Sequence, residues 1–530
     1  MWDLLVQRAR VVDGSGTPSF VADVAIRSDL IAQVGQVPEP QARCVIDGTG
    51  LIVAPGFIDL HTHSDYTLLV NPLAESKVHQ GVTTEVIGNC GTSPAPLGEE
   101  GYPIVRARMA QQYQLDVTWR TFGGYLERLA EAGVAVNVVP LVGHGTLRGA
   151  VMGYAQRAPT ASELARMQGL LADAMEEGAF GLSTGLVYAP GCYAETDEIV
   201  ELAKVMARLG GLYASHIRGE SDTVLDAARE AIAVGRRAGV AVQISHLKTA
   251  GRANWDKTPA LLDLLDQGRS CGVDVTGDMY PYTAGATSLG ALLPPWMHEG
   301  GLAKLLPRLR DRALRERIRH DIEHGLEGWW NPVRAAGWSG IQISRAPHHR
   351  SYQGLRLHEV ATLRQQDPLD TALDLLLAEE GNAGVVLFMM DEGQVRAILQ
   401  HDRVMIGSDA GATAPYGILG QGHPHPRAYG TFPRVLGTYV RELKLIALEE
   451  AIHRMTGLAA WRLGLADRGL LRSGYKADVV LFDARQVDDH ATYETPHRYP
   501  SGIAWVIVNG QVVLRRGERL PVLPGRVLVR

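Results

Sequence analysis

The chain has 530 residues, 46% of them hydrophobic and 21% charged, close to the average for soluble globular proteins, which excludes disordered and fibrous classes. Its formal net charge of -6 comes from Lys, Arg, Asp and Glu mixed along the length, so no basic face is offered to nucleic acid or to an anionic membrane. The four cysteines, Cys44, Cys90, Cys192 and Cys271, are too few and too scattered for a disulfide framework and fit a reducing compartment.

Residues 1–10 carry charge early and lack the apolar segment of a signal peptide, and no run approaches the roughly eighteen apolar residues of a membrane span, so the expected location is cytoplasmic. Short strands are then predicted at 4–6, 24–26 and 31–34, separated by Gly- and Asp-containing turns. Eight short apolar runs follow, at 57–60, 82–87, 136–142, 180–183, 212–215, 240–245, 273–277 and 404–407, alternating with longer helical patterns. That alternation is the signature of βαβ units, and eight of them close a (β/α)8 barrel, an α/β fold spanning 55–466 here.

Between the seventh and eighth runs lie about 120 residues where a few tens would suffice. This insertion, about 284–400, contains Trp329, Trp330 and Trp338 and is expected to form a lid or wall over the catalytic face. Its most cationic stretch, 308–319, mixes Asp311 and Glu316 among its arginines and reads as a solvated helix face. At the far end, 477–482 and 503–508 are strand-like, and Asn509-Gly510 is a hairpin turn before 511–514. Neither terminus has enough apolar surface to stand alone, so 1–54 and 467–530 are expected to form one small β domain together.

Metal-capable side chains fall at the C-terminal ends of five of the eight runs. The first ends in His61-Thr62-His63, whose alternate residues point to one side of an extended segment. The second runs into Gly88-Asn89-Cys90-Gly91, the fifth into Ser215-His216, the sixth into Ser245-His246 and the eighth into Gly407-Ser408-Asp409. Four imidazoles, one thiol and one carboxylate suit Zn2+, the borderline-soft ion that accepts all three donors in one compact site.

With these motifs, and with Ser183-Thr184-Gly185-Leu186, Ser215-His216-Ile217-Arg218, Ile244-Ser245-His246-Leu247-Lys248, Tyr280-Pro281-Tyr282, His425-Pro426-Arg427 and Gly430-Thr431-Phe432, the whole chain resembles the amidohydrolase superfamily and, within it, the N-acyl-D-amino-acid deacylases. The resemblance implies that Cys90, His216 and His246 hold a tight zinc ion, and that His61, His63 and Asp409 with shared Cys90 hold a second, weaker one. It implies hydrolysis of N-acyl-D-amino acids to a carboxylic acid and a free D-amino acid, with catalytic Asp409 taking the proton of a water and returning it to the leaving nitrogen. Arg427, whose planar fork can bind two oxygens at once, is the first candidate for the substrate's α-carboxylate; Lys248, Tyr188, Tyr282 and Ser288 match the family's carboxylate-binding positions, and His144, in Val142-Gly143-His144-Gly145, is a further candidate for contacting the substrate.

The partner expected is a small N-acyl amino acid, with a homo-oligomer left open. Two departures touch substrate preference: His63 is followed by Ser64-Asp65 where the family often has two aspartates, and the connection before the eighth run is longer than in compact members. The alternatives are a cyclic-amide hydrolase of the dihydropyrimidinase or dihydroorotase type, against which the cysteine argues, and a barrel scaffold that has lost catalysis.

Overall fold

Strands rich in aliphatic and β-branched residues on both faces belong in the middle of a covered parallel sheet. In the computed structural model, which describes residues 1–37 and 41–530, the strands Val82–Ile87, Gly181–Gly185 and Leu212–His216 are buried at every position. One parallel sheet comprises Phe57–Asp59, Val82–Ile87 and Asn137–Pro140. The other comprises Val142–Gly143, Gly181–Gly185, Leu212–His216, Ala241–Ile244, Val275–Met279 and Val404–Ile406.

The two sheets close on each other at both edges. The predicted third run is one strand interrupted at Leu141, whose amide donates to the Ile87 carbonyl at 3.0 Å. The eighth returns to the first through a parallel bridge between Thr62 and Ala410 and through the Asp409 amide on the His61 carbonyl at 2.8 Å. The helices lie outside. Val224–Ala238 shows why: Val224, Ala227, Ala228, Ala231 and Val234 recur on one face and are buried, and Gly239 ends the helix in the left-handed conformation at φ 70.

Both termini contribute to a single nine-stranded sheet. Its seam is the antiparallel pairing of Ile52–Pro55 with Val479–Phe482, in which Val53 faces Leu481. Two of its strands escape the sequence pattern. Ala42–Asp47 is mostly exposed or half-buried, and Ile52–Pro55 is only four residues long. Among the described residues no helix is long and apolar enough to cross a membrane.

The insertion folds around its own apolar cluster, including Leu289, Leu292, Met297, Ile318, Ile343 and Leu373, beside the antiparallel strands Ala284–Ser288, Gly384–Phe388 and Ile341–Arg345. Its cationic helix, Arg312–His324, is not simply solvated as the charge pattern predicts. Arg315 lies 3.2 Å from Asp370 and 2.5 Å from Asp374, and Arg319 lies 3.0 Å from both Asp367 and Asp370, so the arginines dock this helix on Pro368–Ala378 and its N-cap. A periodicity argument sees the arginines but not the acidic helix about 50 residues further on.

A buried polar knot joins the terminal sheet to the barrel floor. Arg468 pairs with Asp478, whose other oxygen accepts the Asn509 amide at 2.8 Å. The Asn137 side chain donates to Asp478 at 3.0 Å and accepts from the Asn509 side chain at 2.8 Å. Every member is at most 5% exposed. Removing one partner of such a pair strands the other charge, so Arg468→Met is expected to lower stability by about 3–5 kcal/mol. Urea unfolding measures this, and an unchanged midpoint would show that the knot does not hold the two parts together.

Candidate active site

The ends of the barrel strands turn sharply, and three of the metal-capable residues sit in the turns. Cys90, His246 and Asp409 have φ of 52, 37 and 50, a left-handed backbone that costs a residue with a side chain about 1–3 kcal/mol. Around Cys90 the chain also runs too close to its neighbours for any Cβ. One on Gly88 would come 2.0 Å from the Leu141 carbonyl oxygen, and one on Gly91 would come 2.5 Å from the Gly185 nitrogen. The Gly-Asn-Cys-Gly spacing is therefore what lets the thiol turn into the barrel mouth.

All six predicted ligand candidates converge there. Donor atoms of His61, His63, Cys90 and Asp409 lie within 4.8 Å of one another, as do those of Cys90, His216 and His246, so the two sets share the thiol. Cys90 Sγ is 3.2 Å from His61 Nε2 and 3.5 Å from His246 Nε2. Asp409 Oδ1 is 3.0 Å from His63 Nε2 and 3.5 Å from His61 Nε2. His216 is buried, yet neither ring nitrogen has a hydrogen-bond partner among the described residues. Thiolate, imidazole and carboxylate donors in two overlapping sets, one with an orphaned buried imidazole, suit zinc.

Two carboxylates missed by the sequence reading stand behind these rings. Asp278, in the seventh barrel strand, lies 3.3 Å from His61 Nδ1 and accepts the His246 amide at 2.7 Å. Glu220 lies 3.1 Å from His246 Nδ1, 3.6 Å from His216 Nε2 and 2.5 Å from Lys248 Nζ. Partners on the far side of an imidazole fix its orientation and make it a better ligand. A signal for both was present, since Asp278 is a carboxylate near the end of a barrel strand and Glu220 follows His216 by four residues.

Electrostatics follow from this packing. Burial raises the Cys90 thiol, but His61, His216 and His246 outweigh it and hold the group well below the usual thiol range. Burial likewise works against ionised Asp409, and Arg427, His63, His246 and His61 overcome it, leaving Asp409 well below the ordinary carboxylate range. Burial would lower His63, but its bond to Asp409 and the nearby thiol raise it to about 9. Burial also holds His216 below the ordinary imidazole range, so two largely buried anions, Cys90 and Asp409, share the cluster with a ring that favours its neutral, ligating form, a setting in which a divalent cation is electrostatically favoured.

A cavity of about 350 Å³ opens onto the cluster. His63, Cys90, His216, His246 and Asp409 form one end, and Lys248, Tyr188 and Ser288, expected to bind substrate, lie on its wall. Tyr280, part of the Tyr280-Pro281-Tyr282 motif but not among the expected substrate contacts, also lines it with a buried hydroxyl that has no partner among the described residues. Three candidates are elsewhere. Tyr282 turns to Asp489, with its hydroxyl 3.3 Å from that carboxylate. His144 is fully buried with Nε2 2.8 Å from Glu198, which also pairs with Arg148. Arg427 is one layer back from the cavity, its Nη1 2.8 Å from Asp409 Oδ2 and its guanidinium 4.5 Å from the Tyr280 ring centre.

Comparison with known proteins finds likeness along the whole chain. A sequence profile of the Amidohydrolase family matches residues 44–514. An N-acyl-D-glutamate deacylase of Alcaligenes xylosoxydans xylosoxydans is 39% identical over 528 residues, covering 100% of this chain and 96% of the relative. A D-aminoacylase of the same organism is 38% identical, covering 100% and 98%. The crystal structure of an N-acyl-D-glutamate deacylase from Bordetella bronchiseptica, complexed with zinc and a phosphonate that mimics the tetrahedral intermediate, superposes with a TM-score of 0.85 at 36% identity over 100% of both chains. The chain with its strand-end thiol, imidazoles and carboxylate belongs to the amidohydrolase family.

Proposed function

We propose that the protein hydrolyses the amide bond of N-acyl-D-amino acids, releasing a carboxylic acid and a D-amino acid, and that it does so with zinc. The observation that carries this reading is the pair of donor sets sharing Cys90, with Asp409 at the rim of one of them and facing the cavity. The full-length likeness to N-acyl-D-glutamate deacylase and D-aminoacylase supports the substrate class. The shared thiol sets this site apart from the cyclic-amide hydrolase alternative, and the complete donor set speaks against a scaffold without catalysis.

In this reading Cys90, His216 and His246 hold the tighter ion, and His61, His63 and Asp409 hold a weaker second ion with the same thiol. When bound, zinc supplies positive charge that acidifies a water and offsets charge building on the amide carbonyl oxygen. Asp409 is the proton carrier. Arg427 and the imidazoles keep it ionised, so it is ready to accept the water's proton, and the same carboxyl then delivers that proton to the departing nitrogen. Asp278 and Glu220 hold the rings of His61 and His246 in place.

The substrate's α-carboxylate is taken by Lys248, Tyr188, Tyr280 and Ser288 on the cavity wall, with the Arg427 charge immediately behind Tyr280 and Asp409. The rest of the wall is apolar where the insertion supplies it, through Ala286, Trp330, Leu387 and Met389. Lys248 is the one lysine or arginine among the described lining residues and serves the α-carboxylate, so a second carboxylate on the substrate would find no further such cation there and would lose its hydration against apolar atoms. An uncharged D-side chain fits. Identity does not decide the point, since the glutamate-named and general relatives match equally well.

The experiment that tests the function is a panel of N-acetyl amino acids in both hands, assayed with zinc present. Exchanging enantiomers swaps the Cα hydrogen and the side chain, so one hand keeps its carboxylate contacts and the other loses one, worth about 1.5–3 kcal/mol or roughly ten- to a hundredfold in kcat/KM. N-acetyl-D-leucine and N-acetyl-D-methionine are expected to exceed their L counterparts by at least about tenfold on this basis, and to exceed N-acetyl-D-aspartate and N-acetyl-D-glutamate. Equal rates for both hands would defeat the stereochemical reading, and preference for the acidic side chains would defeat the reading of the wall.

Two substitutions test the chemistry. Cys90→Ser removes the ligand common to both donor sets, so zinc retained after gel filtration is expected to fall sharply, and full zinc content by elemental analysis would contradict the shared-ligand assignment. Asp409→Asn is nearly isosteric but unable to carry the proton. It is expected to lower kcat by about 10²–10⁴-fold while the Cys90–His216–His246 ion is kept, and a loss below about tenfold would make Asp409 a bystander.

A further inference from the structure

Beneath the site lies a lysine that the mechanism does not use. Lys77 sits in the short helix Glu75–Val78, is 0% exposed and does not line the cavity. An ammonium group this far from water is costly unless every donor is spent, and here all three are. Lys77 Nζ donates to Asp59 Oδ2 at 2.7 Å, to Ser408 Oγ at 2.6 Å and to the Ala410 carbonyl at 2.8 Å. Ser408 and Ala410 are the two neighbours of Asp409. Asp59 is at the end of the first barrel strand, two residues before His61, and its other oxygen accepts the Ser408 amide at 2.8 Å.

The ammonium thus ties the end of the first strand to both sides of Asp409. That residue holds a left-handed backbone at φ 50, which a residue with a side chain keeps only where its surroundings over-determine it. The other restraints come from the same quarter. The Asp409 amide donates to the His61 carbonyl at 2.8 Å, and the Ala412 amide donates to Ser64 Oγ at 2.8 Å, while Ser64 in turn donates to Glu85. Among the described side chains, Lys77 alone reaches both flanking residues with one group.

We propose that Lys77 is a positioning residue for the deacylation, clamping Ser408 and Ala410 so that the strained turn aims the Asp409 carboxylate at His63 and the cavity. This rests on the reading of Asp409 as the proton carrier. The competing role is charge balance alone, in which Lys77 does no more than neutralise buried Asp59. The two differ in what happens when both charges are removed together. Lys77→Met with Asp59→Asn removes the 2.7 Å ion pair as a unit, leaving only the more distant Glu85, 3.9 Å from Lys77, without its cation, but it does not restore the contacts to Ser408 and Ala410.

The experiment compares wild type, Lys77→Met, and Lys77→Met/Asp59→Asn as zinc-loaded full-length proteins, reading thermal stability, zinc content, kcat and KM. The double variant is expected to recover stability relative to the single variant and to keep its Cys90–His216–His246 zinc. Its kcat is expected to stay about 10- to 100-fold low with KM within about threefold, the pattern of a misplaced reacting group. If kcat returns with stability, the proposal is overturned and Lys77 is a counter-ion only. Should both variants fail to fold, Ser408→Ala removes one arm of the clamp and leaves the ion pair intact: a kcat lowered about tenfold at unchanged KM supports the clamp, and an unchanged kcat overturns it. Wild type inactive on every N-acyl-D-amino acid would instead defeat the functional reading on which the clamp depends.

Discussion

A thiolate at Cys90 is a charge with little contact with water, so the protein around it has to stabilise it. Burial alone pushes a thiol toward its neutral form, and three imidazoles reverse that. Those rings come from the first, fifth and sixth barrel strands, while the thiol follows the second and the Asp409 carboxylate follows the eighth. No single strand or hairpin holds such a set. Only a closed barrel turns the C-terminal ends of all its strands toward one point, which is why the site is as much a property of closure as of the residues in it.

The convergence is bought with backbone strain, and the surroundings supply the restraint. Cys90, His246 and Asp409 all hold positive φ: the His246 amide donates to Asp278, the Asp409 amide to the His61 carbonyl, and the turn at Cys90 is held by Ser183, whose hydroxyl accepts the Gly91 amide and donates to the Gly88 carbonyl. Asp278 does this twice over, accepting the His246 amide and facing the His61 ring. Glu220 faces His246 and His216 while pairing with Lys248, so the carboxylate that orients the rings also sets the charge on the cavity wall. Polar groups in this region are shared between structural and chemical duties, and a change at one of them moves the other.

Further from the reacting atoms the parts divide their work. The nine-stranded sheet built from both termini is locked to the barrel floor by the knot of Arg468, Asp478, Asn509 and Asn137, away from the mouth where the metal-capable residues gather. The insertion does the opposite. It has its own apolar core, and through Ser288, Trp330, Leu387 and Met389 it forms the wall of the cavity facing the metal-capable residues. The part of the cavity wall that the insertion supplies thus comes from a segment outside the strands that carry the donor set.

Apolar runs bounded by turns were enough to place all eight barrel strands, because a strand covered on both faces must be apolar on both faces. The ligand candidates were legible for a related reason, since a His, Cys or Asp directly after such a run lies at the mouth of the barrel whichever way the later chain goes. The loop-borne positions were not. Tyr280 and Tyr282 have the same parity, yet the chain's course after the seventh strand turns the first to the cavity and the second to Asp489. His144 follows its strand as the ligands do, but Glu198, 54 residues on, takes its ring. Arg427 met Asp409, and Lys77 met Ser408 and Ala410 across 331 and 333 residues. Local pattern determined which residues stand at the barrel mouth; the partners that orient, charge and clamp them are long-range pairs of buried groups, and those exist only once closure has removed the water that would otherwise satisfy each group separately.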